Sequence, residues 1–361
     1  MNRFVIGVGA TAMAAAAIWF AAQSRSDASA GANTGAAAPA QHRRNLSAAA
    51  VLAIDPRATP APAGPARASG ASPLEREFSA ARNLRTLHER LRTLAHPGAE
   101  EAYYLYRIAR ACATVTDAAM PAMPTRAERR LAFIAGLTES DPYRAQRIAA
   151  FDAANADRCE GIAQFSLVVA DLDRMLADAA QAGDPKARAA LVERQVMEEL
   201  RRRSGAGAGG APLRFAAPAL SDAQIDSLRE AIGSGDPEAM RTAGRLFSNS
   251  LDELSIRVGP NGEDIDQGAF YGAWRLLACD YGAPCDASSA DLLSGCAYEG
   301  RCGVNNFADY LYYYGSTPYE SQLLDRYRGM LAHTVETGDW SQIRFVRGPT
   351  SGRNRYFFAG G

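Results

Sequence analysis

The residue types that acid–base, metal and nucleophilic catalysis require are present in this chain, but their spacing matches no catalytic motif. His88 and Glu89 begin the zinc-protease pattern, whose second histidine would fall at position 92, where Arg92 stands. The sequence has no Gly-x-Ser-x-Gly nucleophile elbow and no Gly-Lys-Ser/Thr phosphate-binding loop. We therefore predict no catalytic, metal-binding or cofactor-binding residues.

Lys186 is the only lysine, and all other residues in the combined count of lysine and arginine are arginines. Schiff-base chemistry would depend on this one amine, which the pattern places at an exposed helix start. The net charge of -1 creates no field that would attract nucleic acid or anionic lipid. Nucleic-acid binding is therefore not expected.

Carboxylates occur in consecutive pairs such as Glu100 with Glu101 and Glu198 with Glu199. Consecutive helical residues do not face one another, so solvated helix faces are the expected interpretation. A two-carboxylate hydrolase remains an alternative, since such enzymes need only two suitably separated groups. The acidic loop at residues 259–266 lacks the spacing of a calcium loop and is predicted to be a turn before a helix.

The chain contains an even number of cysteines, which indicates disulfides in an oxidising compartment: Cys112, Cys159, Cys279, Cys285, Cys296 and Cys302. No Cys-x-x-Cys pair occurs, so neither a thioredoxin-like site nor a zinc ribbon is indicated. The predicted pairs are Cys112–Cys159, Cys279–Cys285 and Cys296–Cys302. A crossed pairing of Cys279 with Cys296 is the main rival.

The first 22 residues have the pattern of an export segment. Arg3 precedes the uncharged run Phe4–Ala22, and the small residues around Ala30 follow. Cleavage after Ala30 would make this segment a signal peptide. The run would also form a helix of about 28 Å, nearly enough for an uncleaved membrane anchor. Either reading places the rest of the chain outside the cytoplasm, as a periplasmic or secreted protein, anchored in the inner membrane only if the segment is retained.

Residues 23–71 are rich in Ala, Pro, Gly, Ser and Arg, with few large apolar side chains. Such a segment buries too little surface to offset its ordering entropy, so a disordered tether is predicted. Ser72-Pro73-Leu74-Glu75 then has the pattern of a helix start. Apolar residues at spacings of three and four from Leu74 to Leu94 predict one helix that ends near His96.

Further helix starts and a linker divide the chain into two predicted lobes. Residues 72–203 form lobe 1, 204–218 a Gly-rich flexible linker, 219–345 lobe 2 and 346–361 a mobile tail. No substantial sheet is expected. Two apolar stripes should anchor lobe 2, namely Phe270, Trp274, Leu277 and Tyr281, and Tyr319, Leu323, Tyr327 and Leu331. The predicted fold is all-α, with stacked antiparallel helix pairs in a solenoid-like or irregular bundle.

Three segments, His96–Tyr103, Gly183–Ala187 and Gly235–Leu246, resemble the helix-turn-helix units of Sel-like relatives of the tetratricopeptide repeats. The last segment is the most similar, with Gly-Asp-x-x-Ala followed by Ala-Gly and a large apolar residue. The resemblance implies stacked helix pairs and a protein-binding role. The alternative is that Gly-Asp-Pro is only a favourable helix start.

The densest aromatic stretch supplies the candidate partner-binding residues Phe307, Tyr310, Tyr313 and Tyr314. The rings of a short helix cannot all enter one core, so some should be exposed, where tyrosine favours partner contacts. The first hypothesis is an extracytoplasmic helical scaffold that binds a protein or peptide without catalysis. The alternatives are a carboxylate-based hydrolase of cell-wall or extracellular polymer, and a secreted effector.

Overall fold

The computed structural model describes residues 71–112, 114–116, 125–162, 166–205, 219–248 and 254–348. The predicted export segment, residues 23–70 of the predicted tether, 206–218 of the linker and 349–361 of the tail lie outside the described residues. Within the described ranges, no helix combines the length and apolar character needed to cross a membrane.

The predicted all-α class is confirmed, since thirteen helices dominate the described residues. They are α1 (Pro73–Ala80), α2 (Arg85–Arg92), α3 (Ala99–Cys112), α4 (Arg126–Gly136), α5 (Arg144–Ala154), α6 (Val169–Gln181), α7 (Pro185–Gly205), α8 (Asp222–Gly233), α9 (Pro237–Ser248), α10 (Gln267–Asp280), α11 (Ala290–Glu299), α12 (Phe307–Tyr314) and α13 (Pro318–Thr337). Three-residue connections join α6 to α7 and α8 to α9, and both pairs pack together. Such short connections between packed helices produce antiparallel pairs.

Two small sheets accompany the helices. Strands β1 (Thr114–Thr116) and β2 (Ser166–Val168) pair in parallel. Strand β3 (Leu254–Val258) lies between β4 (Glu263–Asp264) and β5 (Ile343–Arg347), antiparallel to both. Strand β5 crosses the predicted boundary between lobe 2 and the tail, because Val346 pairs with Ser255.

Buried side chains form three clusters. The first joins α1, α2, α3, α6 and the start of α7, and Tyr104 is fully buried in it. The largest surrounds Trp274 and reaches from α8 to β5. Val192 and Val196 of α7 also belong to it, so this long helix contributes to both cores. A third, small cluster packs Phe151 of α5 against Ala297 of α11. Helices of the two predicted lobes are therefore in direct contact, while their division at 204–218 stays a prediction.

The predicted disulfide pairing is confirmed, with bonds Cys112–Cys159, Cys279–Cys285 and Cys296–Cys302. The first joins the end of α3 to the segment after α5. The other two close short loops after α10 and α11. Three disulfides indicate that the chain folds in an oxidising, extracytoplasmic environment.

Two details of the predicted helices are wrong. The single helix expected from Ser72 to His96 is divided into α1 and α2, because Arg158 hydrogen-bonds to the carbonyls of Phe78 and Ala81. Tyr319 was expected in the core stripe of α13, yet 68% of its surface is exposed.

Candidate functional site

Helix α12 divides the four predicted partner-binding residues into two buried and two exposed rings. Phe307 is 1% exposed and Tyr310 is 9% exposed, whereas Tyr313 is 77% and Tyr314 49% exposed. The buried rings stack on each other with their centroids 6.1 Å apart. We call Tyr310, Tyr313 and Tyr314 the tyrosine surface, with Phe307 as its support in the core.

The surface stands on a helix whose position is well defined. The side chain of Asn306 caps α12 by accepting a hydrogen bond from the N–H of Asp309, at 2.8 Å. Tyr310 packs so closely against α11 that a Cβ at Gly295 would clash with its ring. The backbone that carries the exposed rings is therefore held in place before they contact a partner.

Arg301 already binds to one side of the tyrosine surface. Its guanidinium carbon lies 5.5 Å from the ring centroid of Tyr310 and 5.5 Å from that of Tyr314. Its Nη1 lies 2.9 Å from Glu299 Oε2, which also accepts a hydrogen bond from the Tyr310 hydroxyl at 3.0 Å. A guanidinium is thus held by two tyrosine rings and one carboxylate.

The next turns of the chain are acidic. Between positions 299 and 325 there are four carboxylates, at Glu299, Asp309, Glu320 and Asp325, and one cation, Arg301. Asp325 accepts a hydrogen bond from the hydroxyl of Tyr312, and burial together with this carboxylate raises the pKa of Tyr312 to about 12. No described residue forms an ion pair with Asp309. Asp309, one helical turn before Tyr313, therefore places an exposed negative charge next to the tyrosine surface.

A second site, which sequence reasoning missed, surrounds Lys186. The prediction of an exposed amine is wrong, because only 4% of its side chain is exposed. Its Nζ lies 3.1 Å from Glu100 Oε1, 3.2 Å from Asp236 Oδ2 and 3.3 Å from Asp184 Oδ2. We call these four residues, with the neighbouring Glu75, the Lys186 cluster.

The Lys186 cluster forms where helix starts converge. Asp184 caps α7 through Oδ1, which accepts from the N–H of Ala187 at 2.8 Å, and Asp236 caps α9 through Oδ1, which accepts from the N–H of Ala239 at 2.9 Å. In both residues the other oxygen faces Lys186. Glu100, in the first turn of α3, also accepts from the hydroxyl of Ser72, the cap of α1. The three segments that resemble repeat units therefore bring their first turns to one lysine.

The charges of the cluster explain the state of the amine. Burial alone would lower the pKa of Lys186, but the carboxylates of Asp236, Asp184 and Glu100 together outweigh it and hold that pKa above its usual range. A protonated, ion-paired amine cannot attack a carbonyl, so this lysine is unsuited to Schiff-base chemistry. Its role in the fold is to neutralise charge between helix starts.

Glu75 is the unbalanced member of the Lys186 cluster. It is 5% exposed, and its Oε2 has no hydrogen-bond partner in the part of the chain that the structure describes. Burial, followed by the charge of Asp236, raises the pKa of Glu75 to about 7. The hydroxyl of the fully buried Tyr104 likewise lacks a partner. Three other carboxylates surround a single lysine here, so a proton on Glu75 relieves the excess negative charge.

The groove between α7 and α8 is a third candidate site. Its polar groups are largely paired with each other, through an ion pair of 2.8 Å between Arg188 and Glu230 and a hydrogen bond of 2.9 Å between the side chains of Gln195 and Gln224. Paired groups have less capacity for a ligand than exposed rings do. The tyrosine surface is therefore the stronger candidate.

Comparison with family models, curated proteins and solved structures finds no match to this chain. The resemblance to Sel-like repeats stays a prediction. Function must be argued from the geometry of the tyrosine surface and the Lys186 cluster.

Proposed function

We propose that this protein is an extracytoplasmic helical scaffold that binds a protein or peptide partner, without catalysis, through the tyrosine surface. The observation that carries the proposal is the exposure of Tyr313, at 77%. Large aromatic rings are enriched in protein interfaces because they bury much apolar area with few rotatable bonds. The proposed location is the periplasm or exterior, with anchoring in the inner membrane if the first 22 residues are retained.

The support beneath the rings favours a binding surface over incidental exposure. Tyr310 and Tyr314 lie one helical turn apart, with ring centroids at 6.4 Å, and Arg301 stacks over both. Tyr313 lies on the adjoining, exposed face of the same helix. A partner would meet a pre-ordered platform of aromatic and charged groups, so that less binding free energy is lost to ordering side chains.

The Lys186 cluster gives less support to the hydrolase alternative. Its carboxylates do converge, and one has a pKa near neutrality. However, Glu75 is 5% and Asp184 3% exposed, and both are covered by packed helices. A polymer chain would have to displace those helices to reach them. The Lys186 cluster therefore offers the hydrolase alternative no open catalytic cleft.

Site-specific photocrosslinking tests the proposal. A photoreactive phenylalanine analogue replaces Tyr313 in the full exported chain, and the envelope is irradiated in intact cells. We expect a discrete crosslinked protein at this position. The matched control is the same analogue at Tyr143, another exposed tyrosine, at the N-cap position of α5. Equal crosslinking at both positions, or none at Tyr313, would contradict the proposal.

A substitution separates recognition from folding. Tyr313→Ala should weaken partner binding at unchanged melting temperature, because an exposed ring leaves no cavity. A central interface tyrosine costs about 2 kcal/mol on truncation, about thirtyfold in affinity. Phe307→Ala should instead lower the melting temperature, since that ring is buried.

A further inference from the structure

The exposed ring of Tyr313 lies one helical turn from a carboxylate that no cation of the described residues pairs. Asp309 precedes Tyr313 by four residues on α12, so the two side chains share one face of the helix. The amide of Asn306 donates to Asp309 Oδ2 at 2.6 Å, and no described residue supplies an ion pair. Both residues are exposed to solvent.

The other side of the tyrosine surface already has the same set of groups with a cation bound. There Glu299 pairs with Arg301, whose guanidinium lies over the rings of Tyr310 and Tyr314. A tyrosine face attracts a guanidinium through the ring quadrupole, and a carboxylate adds a charge-assisted hydrogen bond. Asp309 and Tyr313 present these two elements without the arginine.

We infer that Asp309 and Tyr313 receive an arginine side chain of the partner, in an extended basic peptide segment. This inference rests on the proposed function and specifies its partner class. Charge complementarity supports it, because Asp309 carries a negative charge that no described cation pairs, one helical turn before Tyr313. An anionic segment would meet like charge at Asp309.

Guanidinium is the best-fitting group for this position. Its plane can lie on the Tyr313 ring while its N–H groups face a carboxylate, whereas an ammonium group is a more strongly hydrated point charge. Lysine peptides should therefore bind more weakly than arginine peptides.

The test is a titration of the full chain, with a stable-isotope label on its tyrosines, followed by NMR. The probes are a capped Ala-Arg-Ala-Arg-Ala peptide and its citrulline counterpart, which keeps the shape of arginine without the charge. We expect saturable shifts of the Tyr313 and Tyr314 signals with the arginine peptide and much smaller ones with citrulline. Added salt should weaken binding, since the pair is exposed.

Variants locate the binding to these two residues. Asp309→Asn and Tyr313→Ala should each weaken binding of the arginine peptide about threefold, the range of one exposed cation–π or charge contact. The control, Tyr143→Ala, should bind as the unchanged chain does. Equal binding of the citrulline peptide, preference for a glutamate or neutral oligosaccharide probe, or no saturable shift at millimolar peptide would overturn the inference.

The outcome also separates this inference from the proposed function. If crosslinking at Tyr313 identifies a partner but Asp309→Asn leaves its binding unchanged, the scaffold function is supported. The inference that Asp309 and Tyr313 bind an arginine is then refuted. If crosslinking finds no partner, the scaffold itself fails.

Discussion

Replacing Glu75 with glutamine removes the one buried carboxyl whose charge the Lys186 cluster does not balance. Its pKa is raised from the ordinary 4.5 to about 7, mainly by burial. A carboxyl with a raised pKa in the folded state stabilises the fold fully below its unfolded pKa, and that contribution is lost as the pH rises through the folded pKa. The stability of the unchanged chain should therefore fall between about pH 4.5 and pH 7 and level off above.

The magnitude follows from the same shift. Raising the pKa from 4.5 to about 7 corresponds to about 3 kcal/mol of unfolding free energy at alkaline pH. Part of this loss has already occurred at pH 5, so roughly 2 to 3 kcal/mol should separate pH 5 from pH 8. Glu75→Gln cannot ionise, so it should not show this decline and should be the more stable protein at pH 8.

Urea unfolding with the disulfides intact measures this difference at each pH. The unfolding free energy of Glu75→Gln minus that of the unchanged chain should rise by roughly 2 to 3 kcal/mol from pH 5 to pH 8. Burial lowers the pKa of His88, which gives stability an opposite slope, but that contribution is common to both proteins and cancels. Glu77→Gln is the matched control, because Glu77 lies on the same helix in solvent.

Two results would refute the reasoning. One is a difference between Glu75→Gln and the unchanged chain that stays constant from pH 5 to pH 8. The other is an equal pH-dependent difference for the Glu77→Gln control.

Further predictions concern charge, packing and cross-links, each checked by urea or thermal unfolding. Lys186→Met removes the cation shared by Asp184, Asp236 and Glu100 and should cost about 3 to 5 kcal/mol at pH 7; a loss below about 1 kcal/mol would contradict the charge argument. Gly244→Ala should cost about 1 to 3 kcal/mol, because its Cβ would clash with Trp274. Gly329→Ala, at a helical site where nothing lies within 4 Å, should instead stabilise by about 0.5 to 1 kcal/mol. Removing the disulfide of Cys112, by serine at both of its positions, should cost about 4 kcal/mol, with increased hydrogen exchange mainly in α3 and α5.

Helix starts were predictable from the sequence because capping is local. Ser72, Asp184, Asp236 and Ser221 each accept a hydrogen bond from an N–H two or three residues ahead, so the information lies within one turn. The disulfides of six-residue separation were predictable for the same reason. Proximity in the chain limits what each cysteine can reach.

The errors came from contacts between distant parts of the chain. Arg158 divides α1 from α2 from a position 77 residues after Ala81. Strand β5 pairs with β3, about ninety positions earlier in the chain. No alternating pattern of apolar residues in the sequence predicted this strand. Tyr319 has helical spacing but faces water, because spacing identifies a face without saying what covers it.

The Lys186 cluster was missed for a related reason. Each carboxylate had a sufficient local explanation, as a helix cap or a solvated first-turn acid. Only the packing of α3, α7 and α9 brings them to one amine. One signal was available, since the single lysine directly follows one of the two Gly-Asp-Pro segments in a chain that otherwise uses arginine.

The burial of Lys186 gives the folded protein an unusual reactivity towards amine reagents. With one lysine in the sequence and 4% of its side chain exposed, the ε-amine cannot be acylated until the surrounding helix starts separate. The rate at which Lys186 takes up an acyl label therefore reports how often the junction of α3, α7 and α9 opens, without any engineered probe.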